Sequence, residues 1–243
     1  MAPFRLDVVA FDLDGTLADT APDLAAALNR TLDELGRPGV PAEHVRRLVG
    51  HGAKALLRKG LAASGEAPEA LVEAGYPIFL RVYGEAICVG SRPYPGVEAA
   101  LDALREAGAA LALCTNKPEG LTHRLLDALG WRGRFASVVG GDTLPVRKPD
   151  PAPLVEAIER AGGGTAAFVG DSITDADTAR AAGLPFVAVS FGYSDRPADQ
   201  LGAEALIDHF DSLAGALARL KPVKSFATNR ATAPPRARSA AKR

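Results

Sequence analysis

The stretch VVAFDLDGT, residues 8–16, ends an uninterrupted apolar run on two carboxylates. The run lacks the alternation of apolar and polar residues seen when one face of a strand is exposed. It therefore predicts a strand that is buried on both faces of a parallel sheet. Asp12 and Asp14 follow this strand directly, and like charges so close together disfavour each other's ionised form. Retaining both acids at this position indicates that a cation lies nearby.

Four later runs have the same apolar character, and helical patterns separate them. The predicted strands cover residues 6–12, 109–115, 136–141, 166–171 and 186–190. The predicted helices between them cover residues 97–107, 119–129, 151–161 and 174–182. Strands that alternate with helices in this way predict the α/β class, with a doubly wound parallel sheet.

Residues 19–89 interrupt this alternation with helical patterns alone. Leucines recur at helical spacing from Leu24 to Leu35, and Gly36 ends the segment. Thr20 and Asp23 have the spacing of a capping box at the start of that helix. We therefore predict a discontinuous core of residues 1–18 and 90–220. An all-helical domain of residues 19–89, termed the helical cap, is inserted into it.

Charge is distributed unevenly along the chain, although the net charge is only −1. Residues 221–243 contain seven basic residues and no acidic one, so the first 220 residues hold 21 basic and 29 acidic side chains, a net charge of −8. The segment has no apolar periodicity and predicts a disordered tail. We interpret it as a solvated end. A nucleic-acid-associated protein anchored by this tail is the alternative, although the acidic core argues against a broad nucleic-acid surface.

Composition also bears on location. The two cysteines, Cys88 and Cys114, match no metal or redox spacing, and a reducing cytoplasm fits them best. The N-terminal residues do not have the pattern of a signal peptide. No apolar stretch reaches the roughly 18 residues that span a bilayer. We predict a cytoplasmic protein with no membrane partner, and the sequence leaves open whether it is a monomer or a homodimer.

Polar residues follow three of the predicted strands, where ligands bind in doubly wound sheets. They are Asp12 and Asp14; Thr115 and Asn116; and Asp171 and Ser172, with Asp175 in the next turn. Lys148 lies in the loop before a predicted helix. Carboxylates suit a hard cation such as Mg²⁺, and a lysine adds positive charge for a phosphate group. One carboxylate can attack phosphorus while a second transfers the proton, so the set suits phosphoryl transfer.

Each of these features also has a simpler interpretation. Asp12 and Asp14 are compatible with a turn, and Lys148 with a solvated side chain. Asp171, Ser172 and Asp175 are compatible with stabilising a helix N-terminus. The segment from Gly50 formally matches a dinucleotide-binding pattern, but the residues before it have a helical pattern rather than that of a strand. The four motifs together favour the catalytic interpretation.

The motifs FDLDGT, TNK, KPDP and GDSITD begin at residues 11, 115, 148 and 170. In this order they resemble the haloacid dehalogenase superfamily, and the helical cap resembles the type-1 cap of that superfamily. GGDTLPVRKPDPAPL, from Gly140, and FGYS, from Phe191, are most similar to the phosphoglycolate phosphatase family. The resemblance covers about residues 5–215 and implies a Rossmann-like core.

The resemblance also implies roles for individual residues. Asp12 would be the nucleophile and a metal ligand, and Asp14 the general acid/base, with its backbone carbonyl on the metal. The other implied roles are phosphate binding by Thr115, Asn116 and Lys148, metal binding by Asp171, and support of the site by Asp175 and Ser172. The favoured reaction is Mg²⁺-dependent hydrolysis of 2-phosphoglycolate, a small phosphorylated acid, to glycolate and phosphate. The acid at position 14 is equally compatible with another phosphatase or a phosphomutase acting on a sugar phosphate.

The cap segment VGHGAKALLRKG, residues 49–60, is similar to the loop that closes on the substrate in these enzymes. Gly50 and Gly52 allow backbone amides to come close to a ligand. Lys59 or Arg58 is the predicted partner of the substrate carboxylate, although the family often has arginine where Lys59 stands. We expect the helical cap to open and close over the site, since water must be excluded and later admitted.

Overall fold

The computed structural model describes residues 6–194, 196–221 and 225–227, which form nine strands and nine α-helices. The strands are β1 (Val8–Phe11), β2 (Ala18–Asp19), β3 (Arg92–Pro93), β4 (Ala110–Cys114), β5 (Ser137–Val139), β6 (Gly164–Gly170), β7 (Phe186–Val189), β8 (Ala205–Ile207) and β9 (Ser225–Phe226). The helices are α1 (Ala21–Glu34), α2 (Ala42–Val45), α3 (Ala53–Ala63), α4 (Glu69–Glu85), α5 (Val97–Glu106), α6 (Glu119–Ala128), α7 (Ala152–Arg160), α8 (Ile173–Ala182) and α9 (Leu213–Arg219).

A parallel sheet forms the centre of the core, with strand order β5-β4-β1-β6-β7-β8. β1 pairs with β4 on one side and β6 on the other, so the strand order reverses at β1. All four residues of β1 are buried. The doubly wound α/β fold predicted from the sequence is confirmed, as is the burial of the first strand on both faces.

Helices cover both faces of this sheet because alternate strand residues point to opposite sides. Val9 and Phe11 pack with α5, α6 and α9, whereas Val8 and Ala10 pack with α7 and α8. Two apolar layers therefore hold β1 in place. Its carboxyl end, where Asp12 follows, is fixed by the packing of the whole core.

The helical cap contains α1–α4, which share a third apolar cluster centred on residues such as Leu28, Leu57 and Phe79. The chain enters the cap through β2 and leaves it through β3. These two strands pair antiparallel, Ala18 with Pro93 and Asp19 with Arg92. The short β2–β3 ribbon joins the cap to the core.

The predicted capping box at α1 is wrong. Thr20 is the N-cap residue, but its side chain makes no capping bond. The Thr20 hydroxyl donates instead to Asp14, 2.6 Å away. Asp23 accepts from the backbone amides of Gly90 and Ser91 at 2.7 and 2.8 Å, so it ties the two ends of the cap together. Tertiary partners have replaced the local ones that the spacing suggested.

The prediction of a disordered tail is also wrong where the structure describes it. Ser225 and Phe226 form β9, which pairs antiparallel with Thr165 and Gly164 of β6, and Phe226 is buried. Of the seven basic residues, all but Lys221 lie outside the described residues. In the described ranges, no helix combines the length and the apolar character needed to cross a membrane.

Candidate active site

The predicted polar residues meet at the carboxyl end of β1. The Asp12 amide donates to the Val169 carbonyl at 2.9 Å, so the backbone continues the pairing with β6 for one more residue. The Asp12 side chain is buried at the point where the strand order reverses. Ligands bind at this kind of switch point in open α/β sheets. The fold therefore directs the acids of residues 11–16 to a typical ligand position.

Lys148 connects two of the acids on the core side of the site. Its Nζ lies 2.9 Å from Asp12 Oδ1 and 2.6 Å from Asp175 Oδ1, and its side chain is only 1% exposed. Burial disfavours the ammonium, but the two carboxylates outweigh burial and raise the pKa of Lys148. Burial raises the pKa of Asp12 to about 7, although Lys148 acts to lower it. One lysine thus faces two acids, leaving an excess of negative charge.

Asp171 and Asp175 follow β6 and are held by different neighbours. Asp171 accepts from the Thr16 hydroxyl at 3.0 Å and from the Tyr193 amide at 2.6 Å. Burial, followed by the charges of nearby acids, raises the pKa of Asp171 well above its ordinary value. Asp175 forms a capping box with Ser172 at the start of α8 and also binds Lys148. The structural and catalytic interpretations of Asp175 are therefore compatible.

The donor set fits a divalent cation. Oxygens of Asp12, Asp171 and Asp175 lie within 4.8 Å of one another, and all three residues are buried. Asp12 Oδ1 accepts no hydrogen bond from the described residues, although Lys148 approaches it as an ion pair. Buried carboxylate oxygens in excess of their hydrogen-bond donors suit a hard cation. Lys148 and Ser172 occupy the two oxygens of Asp175, which leaves Asp12 and Asp171 as the better ligands.

Gly15 brings the loop after β1 against the acids of β6. A Cβ at this position would lie 2.5 Å from Asp171 Oδ2 and 2.7 Å from the Tyr193 ring. Its φ of +87° also lies in the region that favours glycine. A glycine is therefore required where Asp171 approaches the FDLDGT loop.

Asp14 belongs to a second cluster, on the side of the helical cap. Lys117 Nζ lies 2.9 and 3.2 Å from the two oxygens of Asp14 and donates to the Tyr83 hydroxyl at 2.7 Å. Tyr83 is on α4, and the Thr20 hydroxyl beside α1 donates to Asp14. Burial opposes the Lys117 charge, but Asp14 and Tyr83 outweigh it and raise its pKa. Burial raises the pKa of Tyr83 to about 12, so it is a neutral phenol at pH 7.

Thr115 and Asn116 lie between the two lysines. The Thr115 hydroxyl accepts from the Lys117 amide at 3.2 Å, and the Asn116 side-chain amide donates to the Lys148 carbonyl at 3.1 Å. Asn116 Oδ1 is buried without a hydrogen-bond donor among the described residues. The segment thus positions the backbone of both lysine-bearing loops beside Asp12.

A cavity of about 40 Å³ opens between these clusters and the helical cap. Its polar lining combines the acids with the 115–117 segment, and its apolar lining comes from cap and core. The lining residues are Asp12, Asp14, Leu24, Val49, Gly50, Gly52, Ala53, Leu56, Phe79, Tyr83, Thr115, Asn116, Lys117, Pro118 and Leu121. The cavity is small and largely apolar, which suits a ligand with a few polar groups.

The cap residues predicted from sequence separate into two groups. Gly50 and Gly52 line the cavity, and a Cβ on Gly52 would lie 3.3 Å from the Asn116 carbonyl oxygen. Lys59 is on α3 and is not among the lining residues. The neighbouring Arg58 forms an exposed ion pair with Glu69. Among the described residues, the cation that lines the cavity is Lys117.

Sequence reasoning did not assign roles to Lys117, Tyr83 and Tyr193. Lys117 belongs to the motif TNK and Tyr193 to FGYS, so both motifs were noticed without these roles. Tyr193 accepts from the Thr20 and Ala21 amides at the start of α1, and its hydroxyl lies 2.6 Å from Asp19. It therefore connects the entrance of the cap to Asp171. The signal available was the motif itself, since nothing local shows where these long side chains point.

A protein-family model described as haloacid dehalogenase-like hydrolase matches residues 6–183 of the chain. The match includes the loop after β1, both lysine loops and the acids after β6. The chain therefore belongs to the haloacid dehalogenase-like hydrolases, and the resemblance inferred from the motifs is confirmed.

Within this family, the chain is homologous to phosphoglycolate phosphatases. It is 45% identical over 214 residues to the phosphoglycolate phosphatase of Mesorhizobium japonicum, covering 87% of this chain and 94% of the relative. It is 46% identical over 209 residues to that of Caulobacter vibrioides, covering 83% and 86%. The crystal structure of a predicted phosphoglycolate phosphatase from Haemophilus somnus matches with a TM-score of 0.78 and 32% identity, covering 86% of this chain and 97% of that one.

Proposed function

We propose that this protein is a Mg²⁺-dependent phosphatase that hydrolyses 2-phosphoglycolate to glycolate and phosphate. The observation that carries the proposal is the pair of acids after β1. Asp12 is buried against Lys148, and Asp14 forms an ion pair with Lys117 at the edge of a small cavity. The names of the homologues support this substrate, and the geometry supports the roles proposed for the residues.

Asp12 and Asp171 are the proposed side-chain ligands of Mg²⁺, together with the backbone carbonyl of Asp14. The cation, when bound, offsets the repulsion between the phosphate dianion and the carboxylates. Asp175 is proposed to orient Lys148 and not to bind the metal, because its two oxygens already accept from Lys148 and Ser172. Lys148, Thr115 and Asn116 are the proposed phosphate-binding residues.

The reaction proceeds in two displacements at phosphorus. The Asp12 carboxylate forms a bond to phosphorus while the bond to the glycolate oxygen breaks, and Asp14 donates its proton to that oxygen. Asp14 then takes a proton from water as the water oxygen attacks the aspartyl-phosphate. Phosphate leaves and Asp12 is restored as a carboxylate. Each acid returns to its starting state, so the cycle balances.

The helical cap of residues 19–89 is proposed to close during the chemical steps and open between them. Arg46 in the cap donates to Asp19 at 2.9 Å, and its guanidinium lies 4.9 Å from the centre of the Tyr193 ring. These contacts connect the cap to the core beside the β2–β3 ribbon, and the proposed opening would break them. Cys88 and Cys114 form no disulfide, in keeping with the cytoplasmic location proposed for the protein.

The test is phosphate release by the full chain from a panel of phosphate monoesters, with Mg²⁺ or with EDTA. We expect 2-phosphoglycolate to give the highest kcat/KM and EDTA to abolish turnover. Conversion of a sugar phosphate to its isomer without net phosphate release would instead identify a phosphomutase. Phosphate release that is unaffected by EDTA would contradict the metal assignment.

A further inference from the structure

Lys117 is a buried cation that the two chemical displacements leave without a role. It is 5% exposed and approaches both oxygens of Asp14. Lys148 already provides the core-side charge beside Asp12. A buried lysine that faces a ligand cavity from the opposite side needs a separate explanation.

The charged groups of the cavity lie at its two ends, one formed by the core and the other beside the helical cap. The core end holds Asp12 with Lys148 behind it, and the cap end holds Lys117 with the Tyr83 hydroxyl. The remaining cap-side lining is apolar, from residues such as Leu56 and Phe79. An anionic group on the leaving part of a substrate is therefore best accommodated beside Lys117.

The distances fit a very short leaving group. Asp14, which protonates the leaving oxygen in the proposed function, lies 2.9 Å from Lys117 Nζ. In glycolate, the carboxylate carbon is two bonds from that oxygen. Lysine has three N–H donors. Tyr83 accepts from one and Asp14 from a second, which leaves a third for a substrate carboxylate.

We propose that Lys117, together with the Tyr83 hydroxyl, forms the subsite that binds the substrate carboxylate. Lys117 is then a residue that determines substrate specificity. This inference rests on the proposed function and names the group that selects phosphorylated acids over other monoesters. It replaces Lys59, the candidate from sequence, with a residue that lines the cavity. Tyr83 comes from α4, so the subsite is complete only when the helical cap is seated on the core.

The experiment compares two substrates with the same two-carbon chain, with Mg²⁺ present. One is 2-phosphoglycolate, and the other is 2-hydroxyethyl phosphate, which carries a neutral hydroxymethyl group in place of the carboxylate. The readout is the ratio of kcat/KM for the two, in wild type and in Lys117→Met. We expect this ratio to fall about 10- to 100-fold in the variant, mainly through KM for 2-phosphoglycolate. Any effect of Lys117 on Asp14 falls on both substrates and leaves the ratio unchanged.

Three further variants complete the design. Tyr83→Phe removes only the hydroxyl and is expected to lower the ratio by a smaller factor, which keeps the test open if Lys117→Met fails to fold. Lys59→Met tests the competing candidate. Lys54→Met is a matched control, because Lys54 forms an exposed ion pair with Glu73 in the same cap.

The outcomes separate the two levels of the proposal. Wild-type hydrolysis of 2-phosphoglycolate with an unchanged ratio in both Lys117→Met and Tyr83→Phe overturns the subsite alone. A ratio that falls in Lys59→Met and not in Lys117→Met also overturns it. Wild type that releases phosphate from other esters and none from 2-phosphoglycolate overturns the proposed function, and the subsite with it.

Discussion

The two buried lysines of the site lie on opposite sides of the FDLDGT loop and are built differently. Lys148 contacts Asp12 and Asp175, which both come from the core. Lys117 contacts Asp14 from the core and Tyr83 from the helical cap. The core side is thus fixed by the sheet, whereas the cap side is assembled from two parts. In the proposed function, the phosphate chemistry lies on the fixed side and the selection of the substrate on the assembled side.

The largest expected effect is on the core side, in Asp12→Asn. An amide is a poor nucleophile and a weak metal ligand, so kcat is expected to fall by about 10⁴-fold or more. Steady-state phosphate release measures this loss. Asp177→Asn is the matched control, because Asp177 is paired with Arg180 on the exposed face of α8 and is expected to keep wild-type turnover. Comparable turnover in the two variants would contradict the role of Asp12.

The second effect concerns stability and compares the lysines directly. Lys148→Met leaves two buried carboxylates without their cation, so the free energy of unfolding in EDTA is expected to fall by about 3–5 kcal/mol. Lys117→Met is expected to cost less, because it leaves one carboxylate, whose side chain is 14% exposed. Urea denaturation measures both. Equal losses would show that the two sides are not built differently.

A pH dependence sharpens the account of the core side. Burial raises the pKa of Asp12 from 3.8 to about 7 and also raises that of Asp171, so the folded protein retains protons that the unfolded chain releases. This contribution to stability is fully present below the unfolded pKa and is lost as the pH rises through the folded pKa. In EDTA, the free energy of unfolding should therefore fall between about pH 4 and 7, by up to about 1.4 kcal/mol per pH unit for each group that titrates in this range.

Mg²⁺ should reverse this loss, because it binds the ionised carboxylates of the folded protein. Urea denaturation at pH 5 and pH 8, with Mg²⁺ or EDTA, provides the measurement. Asp12→Asn should show a shallower slope in EDTA, while Asp177→Asn keeps the wild-type slope. A stability that rises with pH in EDTA would contradict the electrostatic account.

The smallest effect is expected at the contact between the cap and Asp14. Thr20→Val keeps the shape of the side chain and removes one hydrogen bond to this carboxylate. We expect kcat/KM for 2-phosphoglycolate to fall about tenfold, the effect of one hydrogen bond to a charged group. Thr31→Val is the control, because the Thr31 hydroxyl bonds within α1, to the Ala27 carbonyl. A loss of the same size in both variants would indicate general destabilisation of the cap.

The sequence was sufficient for the central strands and the core side of the site. Apolar runs such as residues 109–115 are long enough to show burial on both faces, and polar residues after parallel strands must share an edge. Among the strands of two or three residues, β5 was predicted within residues 136–141, whereas β2, β3, β8 and β9 were not, because so few residues show no periodicity. The role of Lys117 was not predicted, because its partners Asp14 and Tyr83 are distant in sequence and only the tertiary structure brings them together. The capping box at Thr20 was wrongly predicted for the same reason, because the Thr20 hydroxyl donates to Asp14 and makes no capping bond within α1.

The β2–β3 ribbon has a consequence for how such enzymes diversify. The chain leaves the core at Ala18 and returns at Pro93, and these two residues are paired neighbours. The intervening segment therefore begins and ends at neighbouring positions, so that its replacement would leave the sheet, Asp12 and Lys148 in place. A change in the sequence or length of that segment is therefore a route to a new substrate preference that keeps the core side of the site.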